Sequence, residues 1–143
     1  MRDHDEVKAL FKEFDGLSDR AKSTRAKLAN KIIEMLDLHN RVEEAVFYST
    51  LRERTKGGSE DRSKVLEGFE EHGLARDMIG KIEQTDSKDE TYVVKMDVLR
   101  EAVEHHSKEE ESQVIKVARA LLEKQELNEL GERFAEEKQQ VPA

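Results

Sequence analysis

At 143 residues the chain is long enough for one domain built around one hydrophobic core. Apolar residues make up 36% and charged residues 41%, and the net charge of −8 argues against nucleic-acid binding through a broad basic face. The lack of cysteine excludes disulfides, thiolate nucleophiles, Cys-type zinc sites and iron–sulfur clusters, so any metal must be held by His, Asp or Glu, or less often Tyr or Met.

The single proline, Pro142, lies at the far C-terminus, and long stretches rich in Ala, Leu, Glu, Lys and Arg point to helix. The first predicted helix covers about residues 3–17 and closes near Gly16–Ser18. The second covers about 24–54 and ends at the breaker Lys56-Gly57-Gly58-Ser59. The third starts at Ser59 or Glu60 and fades by Gln84, and the polar turn Thr85-Asp86-Ser87 is expected to cap the next helix. The fourth covers about 89–123. A short fifth piece covers about 127–137, with a polar tail from about residue 138. Short connections between long helices predict an all-α, up-down-up-down four-helix bundle with a short C-terminal helix, as a single domain over 1–143. No apolar run approaches the roughly 20 residues needed to span a membrane. The start MRDHDEV lacks the apolar core of a secretory signal. A soluble cytoplasmic protein is therefore expected, and oligomeric state is not readable.

Each long helix carries an apolar stripe at steps of three and four, and each stripe is interrupted by histidine. The second reads Leu28, Ile32, Leu36, then His39 and Glu43, then Val46. The fourth reads Met96, Leu99, Val103, then His106 and Glu110, then Val114, Val117 and Leu121. The third places His72 between Phe69 and Ile79, and in the first His4 precedes Val7, Phe11 and Phe14. His39 with Glu43, and His106 with Glu110, are i, i+4 pairs, so each helix offers one imidazole and one carboxylate on one face. An unpartnered buried carboxylate costs several kcal/mol or neutralises. Six such side chains need a common explanation, and a pair of cations supplies it.

Depth agrees. Counted from the turns, His39 lies about 18 residues before Gly57-Gly58 and His72 about 14 after; His72 lies about 15 before Ser87 and His106 about 19 after. His4 lies about 14 residues before Ser18 and His39 about 21 after, so with loose helix ends the depths agree to within about two turns and in an antiparallel bundle all four histidines can share one layer. His105 sits about 100° round the helix from His106 and is assigned to the surface or the second shell. Glu44 and Glu71 are read as solvated or second-shell, Tyr48 as either a donor at the site or core rim. Only Glu110 of the run Glu109–Glu111 is expected to turn inward. Phe11, Phe14, Phe47 and Phe69 are expected to pack around the site and keep water out.

RDHDEVKALF, LDLHNRVEEAVFY, LEGFEEHGLARDMI and LREAVEHHSKEEESQV, in this order and spacing, resemble the hemerythrin-like or HHE cation-binding domains, and LNELGERFAEEK resembles that family's ending. The resemblance implies His4, His39, Glu43, His72, His106 and Glu110 as ligands, with Glu43 and Glu110 as bridging carboxylates. It implies two non-haem iron ions joined by an oxo or hydroxo bridge, with manganese or zinc as alternatives that N/O ligands do not separate. Oxygen, peroxide or nitric oxide are the implied small-molecule partners. Three departures stand out. Arg76 occupies the position where oxygen carriers place a second histidine, one turn after the one matching His72, which puts oxygen carriage in doubt. Ser49 replaces a frequent proline and suggests a longer helix. The family's first helix usually begins further upstream, so the chain reads as a trimmed piece of a longer protein. Three functions are expected to compete: a binding or sensing domain, a di-iron enzyme with catalase-like or oxidase activity, and a metal-free helical interaction module.

Overall fold

The computed structural model describes residues 2–17 and 22–140, so Ser18, Met1 and Pro142 lie outside the described residues. Its helices are α1 (Arg2–Asp15), α2 (Lys22–Glu43), α3 (Ser49–Arg54), α4 (Glu60–Glu83), α5 (Glu90–Glu109), α6 (Ile115–Leu121) and α7 (Lys124–Gln140). A π-helical turn, Glu44–Tyr48, joins α2 to α3, and a second, Glu110–Val114, joins α5 to α6. The predicted second and fourth helices are thus each one rod with a π turn inside it. α1, the α2–α3 rod, α4 and the α5–α6 rod form the up-down-up-down bundle, and α7 packs against α2, the first π turn and α6. α7 extends further at both ends than expected, and residues 138–140 of the expected tail are helical.

The ends follow local chemistry. Gly58 takes a positive φ of 79°, the left-handed turn that glycine makes without Cβ strain. Ser59 then caps α4 by accepting from the Arg62 N–H, and Glu60 and Asp61 sit in its first turn, where the helix dipole favours negative charge. The next cap differs from expectation. Asp89, not the Thr85-Asp86-Ser87 turn, caps α5 by accepting from the Thr91 N–H at 2.8 Å. Thr85 instead closes α4 by donating to the Lys81 carbonyl, and Asp86 accepts from the Lys88 N–H.

The π turns change which residues face inward. In each, an N–H reaches back five residues: Ser49 to the Glu44 carbonyl and Ile115 to the Glu110 carbonyl. The Ser49 hydroxyl donates to that same Glu44 carbonyl, where proline would have no N–H to give. A π turn inserts one residue into the helical count. An uninterrupted helix would carry the face of Leu36, His39 and Glu43 on to Phe47, Thr50 and Arg54. Instead Tyr48, Leu51 and Thr55 are buried and Arg54 is exposed. After the second turn the same shift buries Leu122 more fully than Leu121.

Two apolar clusters result. One packs Phe11, Phe14, Ile32, Ile79, Ile82 and Leu99 toward one end of the bundle. The other packs Tyr48, Leu51, Val65, Val114, Val117 and Leu122 toward the Gly57-Gly58 turn. Each fully buried side chain of this size contributes roughly 1.5–3 kcal/mol. Between them lies a layer of buried His39, Glu43, His72, His106 and Glu110. Among the described residues no helix is long and apolar enough to cross a membrane.

Candidate metal centre

His4 comes from α1, His39 and Glu43 from α2, His72 from α4, His106 from α5, and Glu110 from the first position of the second π turn. The bundle brings all six together. His4, His39, Glu43 and Glu110 form one group and Glu43, His72, His106 and Glu110 another, each with ligand atoms within 4.8 Å of one another. The glutamates belong to both groups.

Their oxygens are divided between the halves. Glu43 turns Oε2 to His39 Nε2 at 3.0 Å and Oε1 to His72 Nε2 at 3.0 Å. Glu110 turns Oε1 to His4 Nε2 at 3.3 Å and Oε2 to His106 Nε2 at 3.2 Å. Yet both Glu43 oxygens and Glu110 Oε1 are buried and accept no hydrogen bond. Close approach without hydrogen-bond alignment is the relation that ligand atoms have when they converge on a common point. An unsatisfied buried carboxylate is costly, so these residues fit a cation set between them.

The outer ring nitrogens carry the complementary information. His72 Nδ1–H donates to Glu44 Oε1 at 3.1 Å, His106 Nδ1–H to Glu71 Oε1 at 3.1 Å, and His4 Nδ1–H to Glu111 Oε1 at 3.2 Å. A carboxylate on Nδ1 keeps the proton there and turns the Nε2 lone pair inward. His72 and His106 then point Nε2 at Nε2, 3.0 Å apart. Two bare lone pairs repel at that distance, so a proton or a metal cation must stand between them.

Without metal, protons take that place. Burial would lower the His106 pKa, but Glu110 and Glu43 push it up to about 10. Burial likewise opposes protonation of His4, and Glu110 and Glu111 overcome it and raise its pKa. Burial pushes Glu43 up, but the imidazoles of His106, His39 and His72 hold its carboxyl well below the usual range. Tyr48 donates its hydroxyl to Glu110 Oε2 at 2.7 Å; burial, with the Glu110 and Glu43 charges, raises its pKa and keeps it a donor.

The assignments around the cage divide. Glu44 and Glu71, which the sequence left between solvent and second shell, both orient a histidine. Glu111 was assigned to an acidic outer face, but although half exposed it holds His4; its place one residue after Glu110 was the available signal. His105 is exposed and meets the outer oxygen of Glu71, at 3.5 Å. Arg76 lies outside the cage and touches Glu44 at 3.4 Å. Of the expected aromatic packing, Phe47 and Phe69 flank Tyr48, but Phe11 and Phe14 belong to the apolar cluster at the other end. Phe134 of α7, unassigned from sequence, meets the His39 ring edge-on at 5.4 Å.

A cavity of about 20 Å³ adjoins the four histidines, walled by Val7, Leu36, Ala75, Ala102 and Val103. That is room for about one water-sized molecule.

Comparison with known proteins agrees with this geometry. No curated protein matches the chain. A crystal structure of a hemerythrin HHE cation binding domain-containing protein from Mycobacterium kansasii has a similar fold, with a TM-score of 0.81 at 23% identity over 97% of this chain and 82% of that one. The family model described as Hemerythrin HHE cation binding domain matches residues 1–118, which includes all six cage residues. With a His/Glu cluster able to hold metal at its centre, the chain belongs to the hemerythrin HHE cation-binding domain family.

Proposed function

We propose that the chain holds a pair of non-haem iron ions and binds or senses a small molecule at them. His4 and His39 would hold one ion and His72 and His106 the other, with Glu43 and Glu110 available to both. The observation that carries this reading is the sharing of two buried glutamates between two groups of histidines, with both oxygens of Glu43 and Oε1 of Glu110 accepting no hydrogen bond. Bound there, iron would supply redox chemistry and an open coordination position for oxygen, peroxide or nitric oxide. The protein's own residues do the rest. Glu44, Glu71 and Glu111 hold the Nδ1 protons, Tyr48 holds Glu110, and the aliphatic walls of the small cavity limit what reaches the cage. Arg76 leaves the His72–His106 half with two histidines, which favours sensing over reversible oxygen carriage. Because metal would offset the buried charge, the domain can also report iron availability through its own stability.

A second reading, a di-iron enzyme with catalase-like or oxidase activity, is favoured by one feature. A solvent-facing recess of about 160 Å³ between α1 and α5 shares His4, Val7, Val103 and Ser107 with the small cavity, a route for a polar reactant such as peroxide.

Metal content by mass spectrometry, with optical spectra in air and under nitrogen, tests the proposal. About two irons per chain are expected, with manganese or zinc as the other measurable outcomes. Metal no higher than trace, with no gain in melting temperature on adding ferrous iron, would leave a helical module and sink the metal reading. Oxygen evolution from peroxide no faster than with free iron would eliminate the catalase-like alternative.

A further inference from the structure

Gly68 is buried in the interior of α4, where glycine is a poor helix former. A Cβ there would lie 2.5 Å from Tyr48 Cε1 and 2.9 Å from both Cζ and the hydroxyl oxygen. No real side chain tolerates such a contact unless the neighbour moves. Tyr48 has little room to move: it is fully buried, with Phe47, Phe69 and His72 rings at centroid distances of 5.8, 5.5 and 5.3 Å. Gly80, in the same helix, would meet nothing within 4 Å.

We propose that Gly68 is a positioning residue for the cage: its missing Cβ is what lets the Tyr48 hydroxyl reach Glu110 and hold that carboxylate with one oxygen toward each pair of histidines. The hydroxyl occupies one lone pair of Glu110 Oε2, so rotation of the carboxylate toward a single half breaks a buried, charge-assisted bond. The π turn contributes by turning Tyr48 inward, and Gly68 contributes the slot that receives its ring. The effect on metal rests on the proposed ion pair; the effect on Tyr48 does not.

The test uses metal-free protein first. The chain has two tyrosines, Tyr48 and Tyr92, so labelled tyrosine gives a two-residue NMR spectrum with an internal control. A slowly exchanging Tyr48 hydroxyl proton is expected in the wild type and in Gly80→Ala, and is expected to vanish in Gly68→Ala and in Tyr48→Phe. Ferrous titration then follows. Gly68→Ala and Tyr48→Phe should weaken metal binding alike, by about 10- to 100-fold, and Gly80→Ala should not. In a Tyr48→Leu background Gly68→Ala should cost nothing further. Retention of both the hydroxyl proton and wild-type affinity in Gly68→Ala overturns the proposal. If Gly68→Ala does not fold, recovery of folding in Gly68→Ala/Tyr48→Leu supports it, and failure of both overturns it. A wild type that binds no metal defeats the ion pair, while the hydroxyl proton still decides the role of Gly68.

Discussion

The two halves of the cage share the same glutamates but differ in how firmly their histidines are held. In the His72–His106 half both imidazoles are oriented by partly buried carboxylates, Glu44 at 23% and Glu71 at 15% exposure, and their Nε2 atoms already face each other at 3.0 Å. In the other half His4 leans on Glu111, which is 48% exposed, and His39 meets the Phe134 edge of α7. A carboxylate in a drier setting holds its partner more strongly than one screened by water. The difference teaches that a symmetric ligand list does not make two equal sites. The His72–His106 half is pre-organised, and the other half depends on α1 and α7 being docked.

Removing the shared element should have the largest effect. Glu43→Leu is expected to abolish metal uptake in both halves and to lower the metal-free melting temperature at neutral pH, because it leaves the imidazoles of His106, His39 and His72 without their shared carboxylate. Metal analysis and a metal-free melt check both sides; retained uptake would show that the halves do not share Glu43.

His4→Ala is expected to lower metal content from about two ions per chain to about one, and His72→Ala or His106→Ala to cost more, since the surviving half is the less pre-organised one. Equal losses from either half, by stoichiometric titration, would erase the asymmetry.

Protons sharpen the comparison next. The His106 pKa of about 10 stands above its ordinary 6.5, so its protonation supports the metal-free fold fully below about pH 6.5 and is lost as pH rises toward 10. Glu43, held below its ordinary range, contributes stability that is present above about pH 4.5 and lost on acidification. The metal-free melting temperature should therefore fall from pH 6.5 to 10, while metal affinity rises over the same window because metal displaces the His106 proton. Melts and titrations at several pH values read the two opposed slopes; parallel slopes would mean that proton and metal do not compete.

Smaller changes separate the outer carboxylates. Glu71→Gln should weaken metal binding by about 10-fold or more, Glu111→Gln by less, since solvent already screens it. The least effect belongs to His105→Ala, which should change metal content little where His106→Ala removes it. The reverse result would misplace the register of α5.

Much of this centre was legible in the primary structure. The four long helices follow from apolar steps of three and four, and the six cage residues from histidines and glutamates standing on those stripes. Periodicity reports which face of a helix is buried, and in a bundle buried faces must meet. The caps were less legible: Asp89 and the Thr85-Asp86-Ser87 turn all carry suitable oxygens, and only the chain path selects one. The π turns were illegible, because Glu44–Tyr48 and Glu110–Val114 carry no residue that distinguishes a π turn from an α turn.

The sequence by itself determined the helices, their buried faces and the common depth of the four histidines, because these depend on spacing along each rod. Tertiary structure alone decided how those rods are rotated and shifted against each other. That rotation hands Glu44 to His72, Glu71 to His106 and Glu111 to His4, and divides the oxygens of Glu43 and Glu110 between the halves. It also brings Gly68 under the ring of Tyr48. The three carboxylate–histidine contacts join residues 28 to 107 positions apart, and a shift of one residue in either helix would break them. The physical reason is that hydrogen bonds and ligand directions are sensitive to fractions of an ångström, whereas apolar burial, which the pattern encodes, tolerates several packings.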